Sequence, residues 1–141
     1  MRRILVGVDG SEAALHAAQK AAEFAARLDA EVTCAYVIPP PFYPPEATYV
    51  PLRQMMEADR KLAEDVVTKA AEAVRATYPR VDTQVLQGPP AETLARTAEH
   101  SPEVELVVVG SRGRNALSRV LLGSVADRVV HLSKKPVLVV R

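Results

Sequence analysis

Short runs of β-branched and other apolar residues, ILVGV, VTCAYVI, LVVV and VLVV, recur along this chain between longer stretches of helical periodicity. Runs that are apolar without alternation suit strands covered on both faces, and such strands separated by helices build a parallel sheet. Strands are expected at residues 3–8, 31–38, 103–109 and 136–140. A further stretch, residues 81–87, alternates apolar and polar residues, which fits a strand exposed on one side at a sheet edge. Four helical segments fall between them. The pattern predicts one α/β domain: an open, mostly parallel five-stranded sheet with helices on both faces. At 141 residues and 48% hydrophobic content, one domain of this kind buries roughly two thirds of its unfolded surface.

The helical segments carry their own signals. Ser11 is a good N-cap and Glu12 a favourable first-turn acid, so a helix begins there and runs to Leu28, with Ala14, Ala18, Ala21, Ala25 and Leu28 as its buried stripe. Residues 52–77 favour a second helix, with Leu62, Val66, Ala70 and Ala73 on one face. Pro90 suits the first turn of a short helix ending near His100. Ser124 is expected to cap the last helix, whose Val125, Val129 and Leu132 are spaced to pack on the sheet. Six of the eleven prolines fall in residues 39–51, which excludes helix and inner strand there.

Residues 110–125, GSRGRNALSRVLLGSV, follow the fourth strand and read as a phosphate-holding loop. Glycines after a β-branched strand let backbone N–H groups come close to a ligand, and a helix start beyond them favours anions. Arg112, Arg114 and Arg119 lie in this stretch, and no acidic residue occurs between Leu106 and Asp127. Asp9 is the second candidate, because a carboxylate at the carboxyl end of a central strand in an open α/β sheet borders the ligand crevice. An Asp before Gly-Ser also stabilises a turn or caps the next helix, and the sequence leaves both readings open.

Other functions are narrowed by composition. A formal charge of +1 gives no global reason to expect nucleic acid or an anionic membrane as partner. The single cysteine, Cys34, reads as a small core residue and suits a reducing compartment. The three histidines share no metal-ligand spacing with one another or with acids. The apolar run after Met1-Arg2-Arg3 is too short for a signal-peptide core, and no stretch approaches the ~20 apolar residues of a membrane span. These features predict a cytoplasmic protein.

Gly110-x-x-Gly113, nine residues, then Gly123-Ser124 resembles the G-2x-G-9x-G-[S/T] pattern of the ATP-binding branch of the universal stress protein family. The opening ILVGVDGSE, the GPPAETL after the third strand, VVVGSRG and the closing KKPVLVVR are similar to that family as well. The resemblance implies a Rossmann-like or flavodoxin-like sheet of order 3-2-1-4-5 over residues 1–141. Under it, Asp9 would hold the ribose, and Gly7, Val8 and Val37 would line the adenine and its sugar. Gly110, Gly113, Gly123, Ser124 and Val125 would wrap the phosphates of ATP, with Val109 beside them. Arg112 occupies a variable position of the pattern, and its inclusion rests on charge. Any Mg²⁺ would be held mainly by the phosphates. The family also implies a homodimer through the last strand, Val137–Val140.

The chain lacks the GxxxxGK[ST] loop and a positioned base near the expected phosphate end, so fast turnover is not expected. A small regulatory protein whose ATP occupancy changes its state is the first reading. A slow ATPase or phosphotransfer enzyme using Asp9 or Ser124 and an interaction module that binds no nucleotide are the alternatives.

Overall fold

The computed structural model describes residues 1–41, 52–112 and 121–141. Gly113, Arg114 and Arg119 of the expected loop, and residues 42–51 of the proline-rich stretch, lie outside them. The elements follow in the order β1 (Arg3–Gly7), α1 (Glu12–Leu28), β2 (Glu31–Ile38), α2 (Leu52–Arg75), β3 (Val81–Gln87), α3 (Pro90–Glu99), β4 (Val104–Gly110), α4 (Ser124–Leu132) and β5 (Val137–Val140). The five strands form one parallel sheet in the order β3-β2-β1-β4-β5. The order is the one implied by the resemblance, and β3 is an edge as its alternating residues predict.

Each face of the sheet packs on two helices. Ile4, Val6 and Val108 belong to the core shared with α1 and α2, whereas Leu5, Val107 and Val109 belong to the core shared with α3 and α4. The assignment follows from the period of two along a strand, which sends successive side chains to opposite faces. The first helix starts where expected. Ser11 is extended, and its hydroxyl oxygen accepts a hydrogen bond from the Ala14 N–H at 3.1 Å. The buried face of α1 is almost entirely alanine, Ala14, Ala17, Ala18, Ala21, Ala22 and Ala25, which lets the helix lie close to the strands.

Two expected stripes are rotated. In α2 the buried residues are Ala63, Val66, Val67, Ala70, Ala71 and Val74, while Leu62 is 38% exposed and Ala73 only partly buried. Small side chains face the sheet here, and the bulkier Leu62 turns to the rim. In α4 the cap is Gly123, not Ser124, which is the first helical residue; only Ala126 and Val129 are buried. Val125 and Leu132 are 37% and 43% exposed and do not pack as their spacing suggests. Val125 belongs to the first turn of α4, which opens onto the cleft described next.

Candidate functional site

The sheet reverses its winding direction between β1 and β4. These strands are parallel neighbours, with Gly7 opposite Val109, yet the helix after β1 covers one face and the helix after β4 covers the other. A crevice opens at the carboxyl ends of the strands at such a point. Here it is a cleft of about 600 Å³.

From β1 and β2 the cleft receives Gly7, Val8, Asp9 and Val37, and from the end of β4 Val109, Gly110 and Arg112. Gly123, Ser124 and Val125 close it from the start of α4. Every expected site residue that is described therefore lines one cavity. Among the described residues, Asp9 and Arg112 are its charged lining residues. The strand order spaces them: the apolar end of β2 comes first, then the carboxylate after β1, then the guanidinium after β4.

Asp9 is tied to its own turn. One carboxylate oxygen, Oδ1, accepts the Ser11 N–H at 2.9 Å and the Ser11 hydroxyl at 2.5 Å. Gly10, at φ 88°, provides the left-handed step that brings Ser11 back toward the carboxylate. The two readings of Asp9, turn residue and cleft residue, hold together.

The glycines divide into different roles. At Gly7 an added Cβ would stand 2.7 Å from Leu94 Cδ1, so the missing side chain makes room for α3. Gly123 donates its N–H to the Ser111 carbonyl at 2.6 Å, and Ser111 donates to the Val140 carbonyl at 2.8 Å. The Gly123 N–H is thus occupied within the protein, and it stitches the two ends of the loop together beside β5. The N–H groups of Ser124, Val125 and Ala126 come next. They belong to the first turn of α4, where helix geometry supplies no partner, and the N-cap residue, Gly123, has no side chain to cap them. All three residues line the cleft. Uncapped first-turn N–H groups beside an arginine suit an anion.

The third helix is the contribution that sequence reasoning missed. Pro90 and Leu94 line the cleft, with Pro39, Leu121 and Leu122. The signal was available in GPPAETL: in a parallel sheet the segment after β3 emerges at the same end as the segments after β1 and β4. An ion pair between Glu92 and Arg128 ties the first turn of α3 to α4, and Lys134 bonds Glu99 at 2.6 Å farther along. Cys34 is buried in the core, and burial pushes its thiol up to about 12, so it is no nucleophile at neutral pH. Among the described residues no cluster of histidine, cysteine and acidic side chains could hold a metal ion. None of the described helices is long and apolar enough to cross a membrane.

Sheet order, switch-point cleft and an uncapped helix start together define a doubly wound α/β protein with an anion-compatible ligand crevice. The family model of the universal stress protein family matches residues 1–141. Universal stress protein MJ0531 of Methanocaldococcus jannaschii is 35% identical over 143 residues, covering 99% of this chain and 82% of the relative. The solved structure of universal stress protein UspA from Lactobacillus plantarum is 32% identical and superposes with a TM-score of 0.86, covering 99% of this chain and 97% of that one. A universal stress protein solved in complex with cAMP is 25% identical, with a TM-score of 0.73 and coverage of 99% and 97%. The chain belongs to the universal stress protein family.

Proposed function

We propose that the cleft binds ATP and that the protein is a small regulatory module of a stress response, with little turnover of its own. The observation that carries this reading is the order of chemistry along the cleft. Val37 and Pro39 offer an apolar wall at the end of β2, Asp9 an acceptor at the end of β1, and Arg112 with the α4 first turn a cationic end after β4. A base, a ribose and a phosphate chain require those three environments in that order. The relative solved with cAMP supports an adenine nucleotide as the ligand class. Backbone N–H groups of Ser124 and Val125 would hold the phosphates, Gly110 and Val109 would form the floor, and Gly113 would complete the loop. Any Mg²⁺ would be carried mainly by the phosphates, with water completing its shell.

Binding alone regulates nothing; ATP shifts the protein between states only to the extent that it binds them unequally. Low turnover accords with the lining: Asp9 is the carboxylate at hand among the described residues, and its Oδ1 already carries two hydrogen bonds. The reading also includes a homodimer. Carbonyls of Pro136 and Val140 accept from the N–H groups of Val107 and Ser111. Alternation along the strand then directs the polar groups of Val137 and Val139 to the open edge. The buried lone cysteine suits the cytoplasm.

Calorimetric titration of ATP with Mg²⁺, and of adenosine, into the nucleotide-free protein and its Arg112→Ala variant tests the reading. Saturable ATP binding, weakened about tenfold by Arg112→Ala while adenosine binding is unchanged, is the expected result, a charge-assisted contact being lost. No ATP binding by the unmutated protein would refute the proposal in favour of an interaction module. Multiple-turnover phosphate release abolished by Asp9→Ala would instead establish the slow enzyme.

A further inference from the structure

We infer that Ser11 is a positioning residue of the cleft, holding Asp9 in the orientation in which it receives the ribose hydroxyls; this rests on the ATP reading above. Both donors of Ser11 converge on a single atom, Asp9 Oδ1, at 2.9 Å from the N–H and 2.5 Å from the hydroxyl. The same hydroxyl oxygen accepts the Ala14 N–H at 3.1 Å as the N-cap of α1. The carboxylate is therefore anchored through Ser11 to a helix, and Ala14 itself lines the cleft beside Asp9.

The asymmetry between the two oxygens carries the argument. Oδ1 takes both Ser11 bonds, whereas Oδ2 takes no hydrogen bond from the described residues. A carboxylate free to rotate would lose side-chain entropy when a ligand fixed it. Here that loss has already occurred on folding, and Oδ2 remains as the acceptor for a diol. A serine that merely caps α1 would need no bond to Asp9, and an Asp that merely closes the turn would not need to line a cavity. Ser11 does both jobs with one hydroxyl group, which donates to Asp9 while accepting from Ala14.

The test compares ATP with 2′,3′-dideoxy-ATP, which lacks both ribose hydroxyls, by calorimetry on the unmutated protein, Ser11→Ala, Ser11→Gly and Ser11→Thr. Glycine is a tolerated N-cap, so Ser11→Gly removes the hydroxyl with little loss of helix. Ser11→Ala and Ser11→Gly are expected to weaken ATP about tenfold and the dideoxy analogue less than about twofold, while Ser11→Thr retains the native affinity for both. Equal weakening of the two ligands, or no weakening of ATP, would overturn the positioning role while leaving the ATP site intact. Failure of the unmutated protein to bind either nucleotide would overturn the site and the positioning role together.

Discussion

Gly110 lies directly against the first turn of α1: a Cβ placed on it would stand 3.0 Å from the Ala13 carbonyl oxygen and 3.1 Å from its carbon. Both atoms are backbone and neither can swing away. The missing side chain at the end of β4 thus serves close packing against the helix that carries Ser11, in addition to bordering the cleft. Gly110→Ala is expected to destabilise the fold by about 1–3 kcal/mol, as overpacking does. Because the start of α1 must shift, ATP affinity should fall as well. Urea unfolding and calorimetry measure the two effects; unchanged stability would show that α1 yields without cost.

Gly7 presents the opposite case. Its absent Cβ would meet Leu94 Cδ1 at 2.7 Å, the far end of a side chain that can change rotamer. Gly7→Ala should therefore cost less in a background where Leu94 has been shortened to alanine than in the native one. Leu94→Ala alone removes a fully packed side chain, for about 2–5 kcal/mol. A double-mutant cycle reads the coupling directly. Strict additivity of the two substitutions would contradict the contact.

Two carboxylates of α3 pair with cations, Glu92 with Arg128 on α4 and Glu99 with Lys134 in the turn after it. Glu92 is held below the ordinary glutamate value of 4.5, first by its own backbone N–H and then by Arg128; Glu99 is lowered by its hydrogen bond to Lys134. A carboxyl group whose folded value is depressed adds stability above its unfolded value and loses it as pH falls through the folded one. The contribution of these pairs is thus present at neutral pH and disappears below pH 4.5. Both are exposed to solvent, so salt weakens them. Glu99→Gln should lower the thermal midpoint slightly at neutral pH and low salt, with the difference from the native protein closing in acid. A difference that persists at low pH would mean that packing, not charge, is responsible.

The polar groups of Val139 face the open edge of β5, since those of Pro136 and Val140 face β4. Proline at position 139 removes an outward N–H without breaking a bond to β4. Light scattering is expected to give a dimer for the native chain at micromolar concentration and a monomer for Val139→Pro. A native monomer would refute edge pairing outright.

Much of this molecule was legible in its sequence. Every strand and helix appears within a few residues of where periodicity and capping place it, and the alternation in β3 identifies it as an edge. Asp9, Gly110, Gly123, Ser124 and their neighbours in the cleft were named by the glycine spacing, the Asp-Gly-Ser turn and the family they resemble, whereas Pro90 and Leu94 of α3 were not. These are local properties: hydrophobic period, turn chemistry and spacing along the chain need no knowledge of what lies opposite.

What the tertiary structure alone decided concerns partners remote in sequence. Leu94 occupies the space left by Gly7, Ala13 presses on Gly110, and the Gly123 N–H serves Ser111 instead of a ligand. Val125 carries the spacing of a core residue, yet it faces the cleft because the helix start turns there. Leu62 lies at the rim because alanines and valines make the closer approach to the sheet. A side chain's period states that it has a buried face; which neighbour it meets, and which backbone group remains free for a ligand, depends on the strand order and the distance at which each helix settles.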